Sequence, residues 1–253
     1  MLYTNTLYRS VLNSARNAIV PSRGVELFSD FVADWSPFSI CTGTTALAGA
    51  SSFNIGSGMN TAGKAYGELQ MTLTAYATSP TRIGVYANGV GGTANLSTTQ
   101  VNRDHRFVDC PYDFEARVCV TNFPGTLQRL GVGFFNSHAP ASPTNFVQNG
   151  AAFVSTNSGN WKCVVASADV QVETNTSFSS SVYRRLRITT DPNTNVIQFF
   201  IDDQAVLTTS ASWDTVNSYL SWCVEARDKT SVAVGGNGTF LVDYMSLIGT
   251  YNR

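Results

Sequence analysis

The chain has 253 residues, enough to bury a large core within a single domain. Only 13% of them are charged and the net charge is −1, so no global field draws the protein to nucleic acid or to an anionic membrane surface. No apolar run approaches the roughly 20 residues that cross a bilayer, and the first residues lack the basic-then-apolar order of a secretory leader. Synthesis in a cytoplasm is therefore expected, and the sequons at Asn95, Asn175 and Asn237 carry no expected glycan.

Residues 1–25 differ from everything after them. Leu7, Val11, Ala15 and Ala18 or Ile19 recur at helical spacing, Arg9 and Arg16 lie off that face, and Pro21 ends the run. The pattern predicts a short amphipathic helix or an arm, with Leu2, Tyr3, Leu7, Tyr8, Val11 and Leu12 as its docking residues. They pack either on their own domain or on a neighbouring subunit, and their position outside the strand pattern favours the subunit.

The domain proper, 26–253, opens with ELFSDFVADWSP, where Phe28, Phe31 and Trp35 are the expected first core anchors. Residues 41–63 are Gly, Ser, Thr and Ala with little periodicity, the composition of a surface loop or irregular edge. Leu69, Met71 and Leu73 then alternate with polar residues, as do Ile83 and Val85. With Ser79-Pro80 between them, these read as a hairpin.

After a Gly/Asn/Thr-rich loop, Phe114, Ala116, Val118 and Val120 face one way and Glu115, Arg117 and Cys119 the other. The expected partner of this strand is Leu130, Val132 and Phe134, across a turn at 123–125. A Pro-punctuated loop over 139–148 leads to short strands at 151–155, 161–166 and 170–173. The most legible stretch follows, YRRLRITTDPNTNVIQFFIDDQAVL over 183–207. Leu186 and Ile188 oppose Arg185, Arg187 and Thr189, Asp191-Pro192-Asn193 makes a turn, and Ile197, Phe199 and Ile201 alternate up to a second turn at Asp202-Asp203. Strands at 221–226 and 239–247 close the chain, the first with Trp222 and Val224 on one face, the second with Phe240, Val242 and Tyr244.

About a dozen short strands between turn signals predict an all-β, two-sheet antiparallel sandwich, and no repeat suggests a propeller or solenoid. The five cysteines, Cys41, Cys110, Cys119, Cys163 and Cys223, are odd in number and form no CxxC pair, which reads as buried free thiols.

The succession GELQMTL, FEARVCV, LGVGFFN, GNWKCVV, RRLRITTDPNTNVIQFFIDDQAV and TFLVDYMSL resembles a concanavalin A-like jelly roll, in the version found in virion proteins of tailed bacteriophages. The resemblance runs from Leu27 to Arg253 and omits the N-terminal segment. It implies a sandwich that serves lectins, hydrolases and inert shell modules alike. Used as a glucanase, the fold would carry an E-x-D-x-E type run whose carboxyl groups stand about 5 Å apart. The sequence has none: Glu225 and Asp228 are three positions apart and point to opposite faces, and Glu115 stands alone.

His105 and His138 lie in separate loops, Gly235 to Gly238 precede a strand and so cradle no phosphate, and Asp202-Asp203 reads as a polar hairpin tip ahead of a calcium site. No catalytic residue, metal or cofactor is expected. Tyr86, Trp161, Tyr183 and Trp213 are candidates for stacking on a sugar, with core filling as the competing role of each. The expected function is that of a non-enzymatic phage virion protein that decorates and cements the capsid. Its partners would be capsid or other virion proteins and further copies of itself. The alternative is a receptor- or carbohydrate-binding module of a tail or head fibre that takes a host surface glycan.

Overall fold

In the computed structural model the described residues are 24–30, 39–43, 52–55, 67–74, 82–87, 110–122, 128–136, 147, 150–155, 159–167, 170–211, 220–228 and 237–250. They form strands β1 (Gly24–Ser29), β2 (Ser39–Gly43), β3 (Ser52–Ile55), β4 (Leu69–Thr74), β5 (Arg82–Tyr86), β6 (Tyr112–Asn122), β7 (Gln128–Asn136), β8 (Gly150–Ser155), β9 (Asn160–Ser167), β10 (Val170–Ser179), β11 (Arg184–Asp191), β12 (Val196–Ile201), β13 (Gln204–Ser210), β14 (Leu220–Asp228) and β15 (Asn237–Thr250). Every pairing is antiparallel. An eight-stranded sheet runs β13-β12-β11-β6-β15-β4-β3 with β1 also on β15, and a seven-stranded sheet runs β10-β9-β8-β7-β14-β5-β2. The chain is the all-β, two-sheet sandwich that the alternation predicts.

The inward faces meet in one core. Leu186, Ile188, Ile197, Phe199 and Ile201 are buried at alternate positions of β11 and β12, as are Leu69, Met71 and Leu73 of β4. Trp222 of β14 is the hub: its ring lies 4.8 Å from Phe134 on the same sheet and 5.2 and 5.6 Å from Phe114 and Tyr112 on the other. Phe153 and Phe199 meet edge to face at 5.1 Å and tie β8 to β12 across the same core. A second buried cluster, with Tyr86, Phe135, Val147, Ala152, Val154, Val164, Ala166 and Cys223, covers the other face of the seven-stranded sheet. Strand β8 is consequently buried at all six positions, and its sequence GAAFVS is a continuous run of small and apolar residues instead of an alternation.

Turn chemistry explains the clearest hairpins. Asp191 Oδ1 accepts the Asn193 N–H at 2.9 Å and Oδ2 accepts the Thr194 hydroxyl at 3.0 Å, which closes the loop between β11 and β12. Asp202 and Asp203 have φ of 50° and 67°, the pair of positive angles that a two-residue hairpin needs.

Four expectations are corrected. β4 and β5 form no hairpin: β4 pairs with β3 and β15 in one sheet, β5 with β2 and β14 in the other. Likewise β6 pairs with β11 and β15, whereas β7 pairs with β8 and β14. In both cases consecutive strands belong to different layers, as each strand's apolar face is buried equally well from either sheet. The tract 41–63 contains strand residues of β2 and all of β3, which sit at the outer ends of the two sheets. There the partner strand supplies the order that composition does not show. The fourth correction concerns β15. Its register steps from Val242↔Val118 to Tyr244↔Arg117, so Asp243 is an extra residue opposite β6. The bulge turns Tyr244 outward and gives the inward positions to Met245 and Leu247, both fully buried.

Candidate functional site

The outward face of the eight-stranded sheet carries a connected set of polar and aromatic side chains. Cross-strand register brings them together: Arg187 faces Glu115 and Phe200, Arg117 faces Arg185 and Tyr244, and Ser246 faces Glu115 and Phe28. The β15 bulge then adds Asp243 beside Tyr244. Arg117 pairs with Asp243, and its guanidinium lies 4.7 Å from the centre of the Tyr183 ring. The Tyr183 hydroxyl donates to Glu68, and the Tyr244 hydroxyl donates to Glu115. Phe28 lies against Tyr244 at 6.1 Å.

Glu68 is placed by Gly67, whose φ of 84° turns the chain into β4, and it is only 5% exposed. Arg187 grips Asp113 at both ends, Nε to Oδ1 at 2.7 Å and Nη2 to Oδ2 at 2.6 Å, with its Cζ 5.4 Å from the Phe200 ring. At the neighbouring hairpin tip Arg184 pairs with Asp202 at 2.7 Å and Arg185 with Asp203. Both aspartates of that tip are held by arginines, and among the described residues no group of His, Cys, Asp and Glu is arranged to hold a metal ion. Near one end of the face lies a depression of about 340 Å³, lined by Asp113, Thr189, Asp191, Gln198 and Ile248 among others.

The electrostatics fix proton positions. Burial, reinforced by the hydrogen bond to Glu68, raises the Tyr183 phenol well above its ordinary value, and burial with the bond to Glu115 does the same for Tyr244. Both phenols therefore stay protonated and donating at any physiological pH. Burial, with a smaller push from Glu68, also raises the Cys119 thiol beside them. Arg117 and Arg187 are raised, first by their hydrogen bonds to Asp243 and Asp113. The result is a surface of fixed acceptors and partly exposed ring faces.

Of the stacking candidates among the described residues, only Tyr183 falls on this face, half-buried. Tyr86 and Trp161 are corrected: both are fully buried and have no ring face to offer. Trp161 fills the inter-sheet core. Tyr86 lies in the second cluster, where its hydroxyl donates to the fully buried Glu225. Gly84 makes room for that ring, since a Cβ there would stand 2.8 Å from the Tyr86 oxygen. Trp213, the N-terminal residues Leu2, Tyr3, Leu7, Tyr8, Val11 and Leu12, the anchors Phe31 and Trp35, and both histidines lie outside the described residues. Sequence reasoning missed Glu68, Asp113, Asp243 and Tyr244. The outward Glu115, Arg117 and Arg187 were legible, and charged residues alternating along two strands were the available signal for the network.

No family model matches the chain, and no curated protein matches it. Solved structures do. One is a protein of unknown function from Shewanella oneidensis, 10% identical over 100% of this chain and 98% of the other, with a TM-score of 0.62. Another belongs with the endo-acting O-glycanases that prominent members of the human gut microbiota express to initiate mucin breakdown, 9% identical over 87% and 97%, TM-score 0.54. The carbohydrate recognition domain of Emp46p is 10% identical over 86% and 94%, TM-score 0.48. For the first two, at these identities, the likeness is one of fold alone.

Proposed function

We propose that the chain is a non-catalytic carbohydrate-binding module whose site is the outward face of the eight-stranded sheet. The observation that carries this reading is the preordered pair of tyrosine–glutamate hydrogen bonds, Tyr183–Glu68 and Tyr244–Glu115, set among half-buried rings. Sugars are bound by such surfaces because a ring face takes their C–H side while fixed acceptors take their hydroxyls. Acceptors locked in place before binding reduce the ordering cost of association. Support for the non-catalytic part comes from the carboxylates: those of the network are engaged by phenols or guanidinium groups, and the protonated phenols are poor nucleophiles.

Capsid decoration, the role that the resemblance to phage virion proteins implies, depends on the N-terminal segment for attachment. Nothing in the described residues favours it over glycan binding, and copy number per particle separates the two. The test of binding is titration calorimetry of the purified chain against a panel of oligosaccharides, repeated with Tyr183→Ala and Tyr244→Ala. Saturable binding that both substitutions weaken is expected. Binding unaffected by either substitution, or no binding at all, would refute the site.

A further inference from the structure

Resting on that reading, we infer that the site selects uncharged glycans and rejects those bearing a carboxylate or sulfate. The argument is the way charge is spent across the face. Recognition of an acidic sugar calls for an arginine whose fork is free to meet the anion. Here Arg117 is taken by Asp243, Arg184 by Asp202, Arg185 by Asp203, and Arg187 by both oxygens of Asp113. An anionic ligand would have to break the two-point Arg187–Asp113 pair or share a guanidinium whose charge an aspartate already balances.

Glu68 and Glu115 are held differently, by neutral phenols. Six carboxylates thus face four guanidinium groups in this network, an excess of two negative charges. That field opposes an approaching anion, and salt screens it over a Debye length of about 10 Å at 0.1 M. A neutral sugar meets no such opposition. One oxygen of Glu68 and one of Glu115 accept the phenols, and no described residue donates to the other oxygen of either. The second oxygen of the half-buried Glu115 is an acceptor suited to a sugar hydroxyl, whereas Glu68, only 5% exposed, fixes the Tyr183 phenol; the two phenol oxygens, already donating inward, present lone pairs to the same ligand.

The test compares matched ligands on the full chain by calorimetry or on an array: neutral oligosaccharides against the same oligosaccharides capped with sialic acid, ending in a uronate or carrying a sulfate. The neutral member of a bound pair should be favoured by about tenfold or more, equivalent to 1.4 kcal/mol. Raising the salt from about 0.05 M to 0.5 M should shrink the gap, as should Glu68→Gln combined with Glu115→Gln, provided urea melts show the variant folded. A capped or sulfated ligand bound as tightly as its neutral parent overturns the selectivity and leaves the binding function standing. Failure of every ligand to bind overturns the function and the selectivity together.

Discussion

Replacing Tyr183 by Phe tests whether the network is a built structure or a chance arrangement of surface residues. The substitution keeps the ring, and so keeps the Arg117 stack, but removes the only described donor to a carboxylate that is 5% exposed. A hydrogen bond to a charged group contributes about 1.5–3 kcal/mol, and leaving a buried acceptor unpaired costs a similar amount, so a loss of about 2 kcal/mol is expected. Glu68→Ala should cost less, because the half-buried phenol can turn to water. The double variant should then be no worse than Glu68→Ala alone, giving a coupling of about 2 kcal/mol in a double-mutant cycle. Urea unfolding followed by tryptophan fluorescence measures all four corners. A coupling within about 0.3 kcal/mol of zero, the range for independent sites, would refute the reasoning.

The same phenols predict an alkaline limit. Their folded titration lies above the ordinary 10.0, so as pH rises past 10 the unfolded chain loses these protons first, and stability falls while the folded chain retains them. Tyr183→Phe should flatten the decline seen in melting temperature between pH 9 and 11. In the core, Trp222→Ala should destabilise by about 3–5 kcal/mol in urea melts. Trp222→Phe should cost under half as much, since the buried indole N–H has no hydrogen-bond partner to lose. Gly150→Ala should lower the melting temperature by several degrees or block folding, because φ is 118° and a Cβ would stand 2.0 Å from the Phe134 carbonyl oxygen. Burial pushes the Cys163 thiol up to about 12, so it should resist alkylation at pH 8.5 until urea unfolds the chain. Rapid labelling of Cys163 in the native protein would contradict its place in the core.

Alternating side chains determined which segments are strands and which way most of them face. In β6, β11 and β12 the inward residues Phe114, Ala116, Val118, Leu186, Ile188, Ile197, Phe199 and Ile201 are those the sequence separates from their polar neighbours. The Asp191 and Asp202-Asp203 turns were equally legible, because a turn is closed by residues within a few positions of one another. Alternation is a local property, and it carries no address for the partner strand.

Only the tertiary structure decided that β4 and β5, and β6 and β7, belong to opposite layers, since burying an apolar face contributes the same free energy against either sheet. The outward site depended on it twice over. Glu68 and Tyr183 are 115 positions apart, and Tyr244 and Glu115 are 129 apart. Asp243 joins them through a bulge that the pairing of β15 with β6 creates. Whether a residue such as Tyr86 shows its ring to solvent or buries it against Glu225 was settled by a second buried layer on the seven-stranded sheet. Hydrophobic burial has no direction of its own, so composition could supply both outcomes and only packing chose between them.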